Sequence, residues 1–341
     1  MAKKRRRRSS RRAKRMKFLF SLVLIVLIIL LGSVAAYLFE SKTKDKVQNA
    51  GKQMTAYSTG ESTAQLFMNG RWYEKRDLET LLVMGIDNFG SVSSSRSYNN
   101  TNQADFLVLF LKDKDTGECR AVHINRDTMT DITVLGVTGE EAGMRHAQIA
   151  LAFNYGRGER DSSRNTAKAV SRLLYGMEID RFITVTMDAV PIMNDWVGGV
   201  EIEVLDDFNG IDADLVEGNK VTLVGEQALT YVRTRKGLDD SSNLARMERQ
   251  RQYASAWAKK AQDKLKDAEA VAELLTQMGD RHYSDCTAEE MLDFASSLSE
   301  NVSMEIHPLP GEAVKGEQFM EYYIDEEKTQ QLILSLFYKP V

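Results

Sequence analysis

The chain has 341 residues, of which 43% are apolar and only four are prolines. Its length fits one large globular domain or two ordinary ones, and its composition excludes a collagen-like or largely low-complexity protein. The net charge of −4 hides a strong segregation of charge, since Lys3 to Lys17 hold 11 basic residues and no acidic one. The remainder carries 34 basic and 49 acidic residues, so a physical boundary is expected after the basic tail, 1–17.

An uncharged apolar stretch, Phe18–Phe39, separates these two parts. A helix of this length spans roughly 33 Å, enough to cross a hydrocarbon core of about 30 Å. A buried core helix would carry a polar stripe, whereas the only small polar residues of this stretch are two serines, Ser21 and Ser33. A cleaved signal peptide has a shorter apolar core, although residues 32–36 resemble a cleavage site. The stretch therefore predicts an uncleaved transmembrane helix, 18–39.

The basic tail in front of that helix predicts its orientation. Positive residues stay on the cytoplasmic side, so the N-terminus is expected in the cytoplasm and everything after residue 39 outside it. The tail also has the composition of a nucleic-acid-binding arm. Contact with anionic lipid headgroups explains the same residues more simply. We therefore predict a single-pass protein of the cell membrane that contacts the lipid bilayer and no nucleic acid.

The segment 40–76 is polar and predicts a stalk, and no linker interrupts the chain from residue 77 to 341, which predicts one ectodomain. Short apolar runs alternate with segments of helical periodicity. A turn at 112–118 between two apolar runs predicts a hairpin. The predicted strands are 81–86, 106–111, 120–125, 182–187, 200–204 and 302–307, and the predicted helices are 164–177, 190–196, 226–231, 243–277, 289–298 and 326–337. This order predicts an α/β fold, an α-β-α sandwich around a central mixed sheet.

The chain lacks the common motifs of nucleophilic and nucleotide chemistry. It has no G-x-S-x-G elbow, P-loop, G-x-G-x-x-G or C-x-x-C. Its four histidines are isolated and show no metal-ligand spacing. Cys119 and Cys286 could form a disulfide in an oxidising exterior, or could be two ordinary small apolar residues. Any catalysis must therefore use carboxylates and arginines, with or without a metal ion.

Arginines form the most specific pattern in the sequence. The candidate anion-binding residues are Arg126, Arg233, Arg235, Arg246, Arg249 and Gln250. The first follows a predicted strand, and the next two would point the same way in an extended segment. The last three lie at i, i+3 and i+4 and share one face of a predicted helix. If these elements converge, five guanidinium groups meet and require an anion, for which the planar guanidinium fork fits phosphate oxygens.

Two carboxylates complement the arginines. Asp87 closes the first predicted strand of the ectodomain, and Asp105 opens the second. Mg²⁺ prefers hard oxygen ligands together with substrate phosphates, so neighbouring strand ends could hold this ion. Each feature alone is usually structural, a cap, a turn or a solvated edge. Their order along the chain is what points to a site.

That order resembles the LytR-CpsA-Psr family of membrane-anchored phosphotransferases, from about Leu81 to Tyr253 and more weakly to the C-terminus. LLVMGIDNFG is similar to the family's first strand and aspartate, and QADFLVLF is similar to the segment with its second aspartate. INRDT is similar to the family's proline-arginine-aspartate-threonine turn, and DWVGGVEIEV is similar to its glycine-glycine-valine turn. GEQALTYVRTR and RMERQRQY are similar to its closing arginine motifs.

The resemblance implies transfer of a glycopolymer, such as wall teichoic acid or capsule, from a polyprenyl diphosphate carrier to a hydroxyl of peptidoglycan. It implies that Asp87 and Asp105 hold Mg²⁺ or Mn²⁺, and that an apolar groove holds the lipid tail. The arginine set and Gln250 would bind the diphosphate. The catalytic residues that it implies are Asp87, Asp105, Arg126 and Asp127.

Three positions depart from the family pattern. Gln103 stands where arginine is common, Asn125 where proline is common, and Asn243 where aspartate is common. Arg96 is a candidate to replace the arginine missing at 103. The loss of a carboxylate at 243 matters most, because that group could orient an arginine or accept a proton.

Two other functions compete with the enzyme. A non-catalytic binder of lipid-linked wall precursors would keep the arginines and could dispense with the aspartates, so the presence of Asp87 and Asp105 favours the transferase. A transcriptional regulator needs a basic surface on the cytoplasmic side, and only the first 17 residues provide one.

Overall fold

The computed structural model describes residues 65–68, 70–92, 97–238, 240, 242–301 and 304–341. Its strands are β1 (Gln65–Met68), β2 (Arg71–Lys75), β3 (Leu78–Ile86), β4 (Ala104–Asp113), β5 (Cys119–His123), β6 (Met129–Leu135), β7 (Glu141–Gln148), β8 (Arg181–Thr186), β9 (Val200–Glu203), β10 (Lys220–Leu223), β11 (His282–Ser284), β12 (Ile306–Pro308), β13 (Gly311–Lys315), β14 (Met320–Ile324) and β15 (Tyr338–Pro340). Its α-helices are α1 (Glu159–Leu173), α2 (Ala189–Trp196), α3 (Glu226–Arg233), α4 (Asn243–Leu265), α5 (Ala268–Met278), α6 (Ala288–Glu300) and α7 (Glu326–Phe337), and Ile149–Asn154 and Gly279–Arg281 are 3₁₀ helices.

The central sheet has six strands in the order β11, β8, β3, β4, β5 and β12. The pairs β8–β3 and β5–β12 are parallel, and the other three neighbours are antiparallel. The predicted α/β fold with a central mixed sheet is confirmed, as is the hairpin between β4 and β5.

Both faces of the sheet are covered, as the apolar runs in β3 and β4 predict. Successive side chains of a strand point to opposite faces. In β4, Val108 packs beside Phe110 and Ala254 of α4, whereas Leu107 and Leu109 are fully buried on the other face. A larger core joins helices α2 to α6 with the β9–β10 pair, and it contains Trp196, which stacks on Trp257 of α4.

The folded domain begins before Asp77, so the predicted stalk boundary is wrong for the described part of that segment. Strands β1 and β2 form an antiparallel hairpin, and β2 also pairs with the C-terminal β15. Leu66 and Tyr338 are buried there, which a solvated stalk would not allow. The hairpin was missed because segment 40–76 is polar overall, and one face of the hairpin is exposed to solvent.

The predicted long helix 243–277 is two helices. α4 ends at Leu265, and Asp267 caps the start of α5 by accepting a hydrogen bond from the Glu269 N–H at 2.9 Å. A side chain that satisfies a free N–H at a helix start favours a new helix over continuation. The sequence analysis also missed the hairpins β6–β7 and β13–β14.

Cys119 is buried, Cys286 is half-buried, and both are free, so no disulfide joins them. Among the described residues, none of the helices combines the length and the apolar composition needed to cross a bilayer. The predicted basic tail, 1–17, and transmembrane helix, 18–39, lie outside the described residues.

Candidate functional site

The two candidate metal-binding carboxylates meet at one end of the β3–β4 pair. Gly85 pairs with Phe106, and Ile86 pairs with Ala104, so Asp105 is the extra residue of a β-bulge. A bulge redirects the side chain of the extra residue. A glycine at 85 suits this place, since a Cβ there would lie 3.1 Å from the Cβ of Phe106. The bulge therefore turns Asp105 towards the strand end that carries Asp87.

Asp87 is the exposed member of this pair. The backbone N–H of Gln103 donates to its Oδ1 at 2.5 Å, and its own N–H donates to the Gln103 carbonyl at 3.0 Å. Although its side chain is exposed, partial desolvation by neighbouring groups raises the pKa of Asp87 above its ordinary value, and the charge of Asp105 raises it further. The Gln103 N–H and the charge of Arg126 oppose this rise. A cation beside these two oxygens would relieve the repulsion between them.

A tight turn after β5 presents Arg126. The Oδ1 of Asn125 accepts the Asp127 N–H at 2.9 Å, and the Thr128 N–H and hydroxyl both donate to the Asn125 carbonyl. An Asx turn of this kind fixes the backbone locally. The guanidinium of Arg126 donates to the Asp105 carboxylate and to the side-chain oxygen of Gln103. Gln103, where family members commonly have an arginine, therefore holds an arginine here.

Arg246 reaches the same carboxylate from α4. Its Nη1 donates to Asp105 Oδ2 at 3.1 Å, so Asp105 bridges Arg246 and Arg126. Ser242 caps the start of α4, accepting the Ala245 N–H at 3.1 Å. Burial lowers the pKa of Arg246 below its ordinary value, and the neighbouring charge of Arg126 acts in the same direction, while Asp105 opposes both.

Two further arginines of the predicted set, Arg233 and Arg235, lie at the end of α3. Arg233 is the last helical residue, not part of an extended segment as predicted, and its guanidinium lies over the exposed Phe89 ring at 5.2 Å. Arg235 is half-buried, and its charge acts on both Arg246 and Asp127. Of the predicted arginines, Arg126 and Arg246 therefore contact Asp105 directly. Arg235 lies near enough for its charge to act on Asp127, and Arg233 lies beside Phe89, two residues after Asp87.

Arg249 and Gln250 occupy a different place. Arg249 is fully buried, donates to the Asp206 carboxylate and to the Thr234 carbonyl, and lies over the Phe208 ring at 5.3 Å. Gln250 donates to the Val232 carbonyl at 3.2 Å. These bonds satisfy carbonyls at the end of α3, where a cation is favourable. Arg249 and Gln250 thus hold the helix end that carries Arg233 and Arg235.

Asp127 is buried behind Arg126. Its Oδ1 accepts a hydrogen bond from Gln148 at 2.8 Å and lies 3.4 Å from the Nε of Arg126. Burial raises the pKa of Asp127 above its ordinary value, against the charges of Arg126, Arg235 and Arg246. This arrangement suits a residue that orients Arg126.

Within the described part of the chain, no three His, Cys, Asp or Glu side chains come together as a metal site. Asp87 and Asp105 form a pair of oxygen ligands, and Mg²⁺ commonly takes one or two carboxylates, with substrate phosphates and water completing its shell. The pair fits an ion of that kind. Both oxygens of Asp105 already accept arginine hydrogen bonds, so Asp87 offers the freer ligand.

A cavity of about 610 Å³ lies on the other flank of α4, with Leu244, Met247, Arg251, Leu309 and Tyr322 in its wall. Its lining mixes charged and apolar side chains, which differs from the purely apolar groove that the family resemblance implies for a lipid tail. Arg96, the candidate to replace an arginine at 103, lies outside the described residues.

Sequence reasoning missed several supporting residues. Asp206 comes three residues after the end of β9, and Asp87 directly follows β3, so a carboxylate near a strand end was a detectable signal. Phe89 comes two residues after Asp87 in a loop pinned by Asp188, whose carboxylate accepts the Gly90 N–H at 3.0 Å. Gln148 lies 21 positions from its partner Asp127 and gave no local signal.

The chain is similar in sequence and in fold to known proteins. Residues 36–336 match the LytR_cpsA_psr family. The polyisoprenyl-teichoic acid–peptidoglycan teichoic acid transferase TagU of Bacillus licheniformis is 24% identical over 306 residues, which cover 89% of each chain. The crystal structure of B. subtilis TagV superposes with a TM-score of 0.57 at 20% identity, over 76% of this chain and 97% of that one. A structure of TagT bound to LIIa-WTA superposes with a TM-score of 0.58 at 22% identity, over 76% and 89%.

The family match extends from before the first described strand to within α7, and so includes every arginine and aspartate of the site. The chain belongs to the LytR_cpsA_psr family.

Proposed function

We propose that this protein transfers a glycopolymer from a polyprenyl diphosphate carrier to a hydroxyl group of peptidoglycan. The observation that carries the proposal is the meeting of Arg126 and Arg246 on Asp105, at the same strand end as Asp87. Guanidinium groups aligned beside two carboxylates suit a substrate that brings two phosphates and, with them, a divalent cation.

The chemistry follows from the charges of the site. The acceptor hydroxyl oxygen forms a bond to the phosphorus that carries the glycan, the bond from that phosphorus to the bridging oxygen breaks, and polyprenyl phosphate leaves. The hydroxyl proton passes to a base or to water. Phosphoryl transfer depends mainly on positioning and charge neutralisation. Arg126, Arg235 and Arg246 neutralise the phosphates, and Asp127 orients Arg126.

We also propose that Asp87 and Asp105 hold Mg²⁺ or Mn²⁺ together with the substrate phosphates. When bound, such an ion supplies positive charge to the phosphate oxygens. The raised pKa of Asp87 and the proximity of Asp105 support this, because a cation stabilises two adjacent carboxylates. Asp87, which is exposed, would offer the freer oxygen ligand, and Asp105 would hold the ion while it also accepts the hydrogen bonds of Arg126 and Arg246.

The names of relatives support teichoic acid as the class of glycopolymer. The relatives from Bacillus licheniformis and B. cereus are named teichoic acid transferases, and each matches 88–89% of this chain. Capsule polysaccharide, which the family resemblance also implies, is the alternative polymer. Both share the diphosphate that the arginines would bind.

We propose that the protein is anchored in the cell membrane with its N-terminus in the cytoplasm and its folded domain outside. The 11 basic residues before an uncharged stretch of 22 support this orientation. A reporter fused after Val341 should be active only on the outer side of the membrane. Activity of a cytoplasmic reporter at that position would contradict both the topology and the choice of substrate.

Transfer can be tested with the full chain in lipid nanodiscs, a polyprenyl-diphosphate-linked glycan and peptidoglycan fragments. We expect labelled glycan on the peptidoglycan, with loss of transfer on chelation of divalent ions. Asp87→Asn should reduce transfer at least a hundredfold and leave the melting temperature unchanged, because Asp87 is exposed at a strand end. A protein that binds the lipid-linked glycan without transferring it would instead be a non-catalytic binder.

A further inference from the structure

Two of the three positions that depart from the family pattern touch each other. The Nδ2 of Asn243 donates to the Oδ1 of Asn125 at 2.7 Å, across 118 positions of sequence. Both side chains are buried, with 2% of Asn125 and 9% of Asn243 exposed. The bond joins the turn that carries Arg126 to the first residue of α4.

The orientation of both amides is fixed by groups that can only donate hydrogen bonds. The backbone N–H of Asp127 donates to Asn125 Oδ1 at 2.9 Å, and the guanidinium of Arg246 donates to Asn243 Oδ1. Turning either amide over would set a donor against a donor. Asn125 therefore presents an oxygen that accepts twice, and Asn243 must donate its N–H.

These bonds close a ring around the arginines. Asn125 binds Asn243, Asn243 binds Arg246, Arg246 binds Asp105, and Asp105 binds Arg126, which is the next residue after Asn125. The Arg246 guanidinium is held between Asp105 and Asn243. The Arg126 guanidinium is held between Asp105 and Gln103, and its backbone belongs to the turn that Asn125 fixes. Side chains held in this way need less ordering when a ligand binds.

We infer that the Asn125–Asn243 pair is a positioning device that sets Arg126 and Arg246 for the diphosphate, and that it requires a donor at 243 and only an acceptor at 125. The inference rests on the proposed function. The Asn243 amide donates a hydrogen bond to Asn125 Oδ1. An aspartate at 243 could not make this bond, because a carboxylate has no proton to donate at neutral pH.

Two isosteric variants test this requirement against each other. Asn125→Asp and Asn243→Asp each add one negative charge to the same cluster, so the effect of charge is matched. Asn125→Asp keeps both acceptor roles, whereas Asn243→Asp sets a carboxylate oxygen against the oxygen of Asn125. Titration calorimetry of the full chain with farnesyl diphosphate, a soluble prenyl diphosphate, should show at least tenfold weaker binding for Asn243→Asp than for Asn125→Asp.

A double-mutant cycle covers the case in which a buried aspartate prevents folding. If the pair acts as one unit, Asn125→Ala, Asn243→Ala and the double variant should weaken binding to a similar extent. Effects that multiply would overturn the inference. So would lower melting temperatures with unchanged dissociation constants, because the pair would then be structural only.

The outcomes separate this inference from the proposed function. A parent protein that does not bind farnesyl diphosphate would overturn the proposed function and the inference with it. A parent that binds, together with equal binding by Asn125→Asp and Asn243→Asp, would overturn the positioning role alone.

Discussion

Each arginine that holds the site together has a carboxylate of the protein beside it. Asp105 serves Arg126 and Arg246, and Asp206 serves Arg249. The sequence hypothesis that the cluster requires an external anion is therefore wrong for these three residues. A buried guanidinium costs much free energy unless it is paired, and folding has supplied the partner in advance. A diphosphate would add to these pairs through the remaining N–H groups.

Arg249 and Arg233 should respond differently to truncation. Arg249→Ala leaves Asp206 without its partner and the Thr234 carbonyl without its donor, so unfolding should become easier by on the order of 3 kcal/mol. Arg233 is exposed, and Arg233→Ala should leave stability nearly unchanged while weakening prenyl diphosphate binding about tenfold. Urea unfolding in phosphate-free buffer and calorimetry measure the two effects.

Arg249→Lys serves as the control in that comparison, since it keeps the charge and loses the fork that reaches two acceptors. It should recover part of the lost stability. Equal stability of Arg249→Ala and the parent would contradict the structural role of this buried ion pair.

His123 should make the domain sensitive to acid. It is almost fully buried beside the Phe106 ring, and burial, with the charges of Arg251 and Arg246, lowers its pKa to about 3. A histidine in an unfolded chain has a pKa near 6.5, so between about pH 6.5 and pH 3 the unfolded chain binds a proton at His123 and the folded domain does not. Stability is therefore fully present above about pH 6.5 and falls as the pH drops from there towards 3.

The loss that His123 causes should reach about 2 kcal/mol at pH 5, from its unfolded pKa alone. His123→Leu should remove this part of the difference in unfolding free energy between pH 7 and pH 5. An equal pH dependence in the parent and the variant would show that His123 is protonated in the folded domain.

At the scale of elements, the sequence predicted the parts that are buried on both faces. The run at 81–86 is continuous and apolar because β3 lies in the middle of the sheet, and it was found. The β6–β7 hairpin was missed because the first six residues of β7 are all exposed and do not alternate between polar and apolar types. Strand β13 is exposed along its whole length and was missed for the same reason.

The site was predictable in its charged residues and not in its connections. Asp87 and Arg126 were identified because each follows an apolar strand, and the sheet brings those strand ends together. The bulge at Asp105 depends on register between two strands, and the bond from Asn243 to Asn125 depends on the docking of α4. Neither has a local signal. Tertiary packing therefore decides which predicted arginines face the ligand and which support α3.

For the whole molecule, the two ends of the folded domain are tied together. Strand β2 pairs with β15, and Arg76 donates from its backbone to the Phe337 carbonyl at 2.8 Å and from its side chain to the Tyr338 carbonyl at 3.1 Å. Arg76 also pairs with the buried carboxylate of Asp113 at 2.9 Å. These contacts lie at the start of β3, and Asp87 follows its far end, roughly 30 Å away at about 3.3 Å per residue.

A fragment that begins at Asp77 should therefore be less stable than one that begins at Glu61. It loses the strand that pairs with β15, exposes Tyr338 and leaves Asp113 buried without Arg76, which together should cost at least 3 kcal/mol. For a domain of this size the melting temperature should fall by roughly 5 °C. Calorimetry of the two fragments measures the difference, and Arg76→Ala in the longer one isolates the share of the ion pair.

The same pair of fragments distinguishes stability from site geometry. Because the lost contacts lie at the opposite end of β3 from Asp87, the shorter fragment should bind a prenyl diphosphate within about threefold of the longer one at a temperature where both are folded. Equal melting temperatures of the two fragments would support a domain boundary at Asp77 and would show that β1 and β2 do not stabilise the folded domain. A loss of binding in the folded short fragment would instead show that the terminal sheet and the arginine site are coupled through β3, since that strand is the element that joins them.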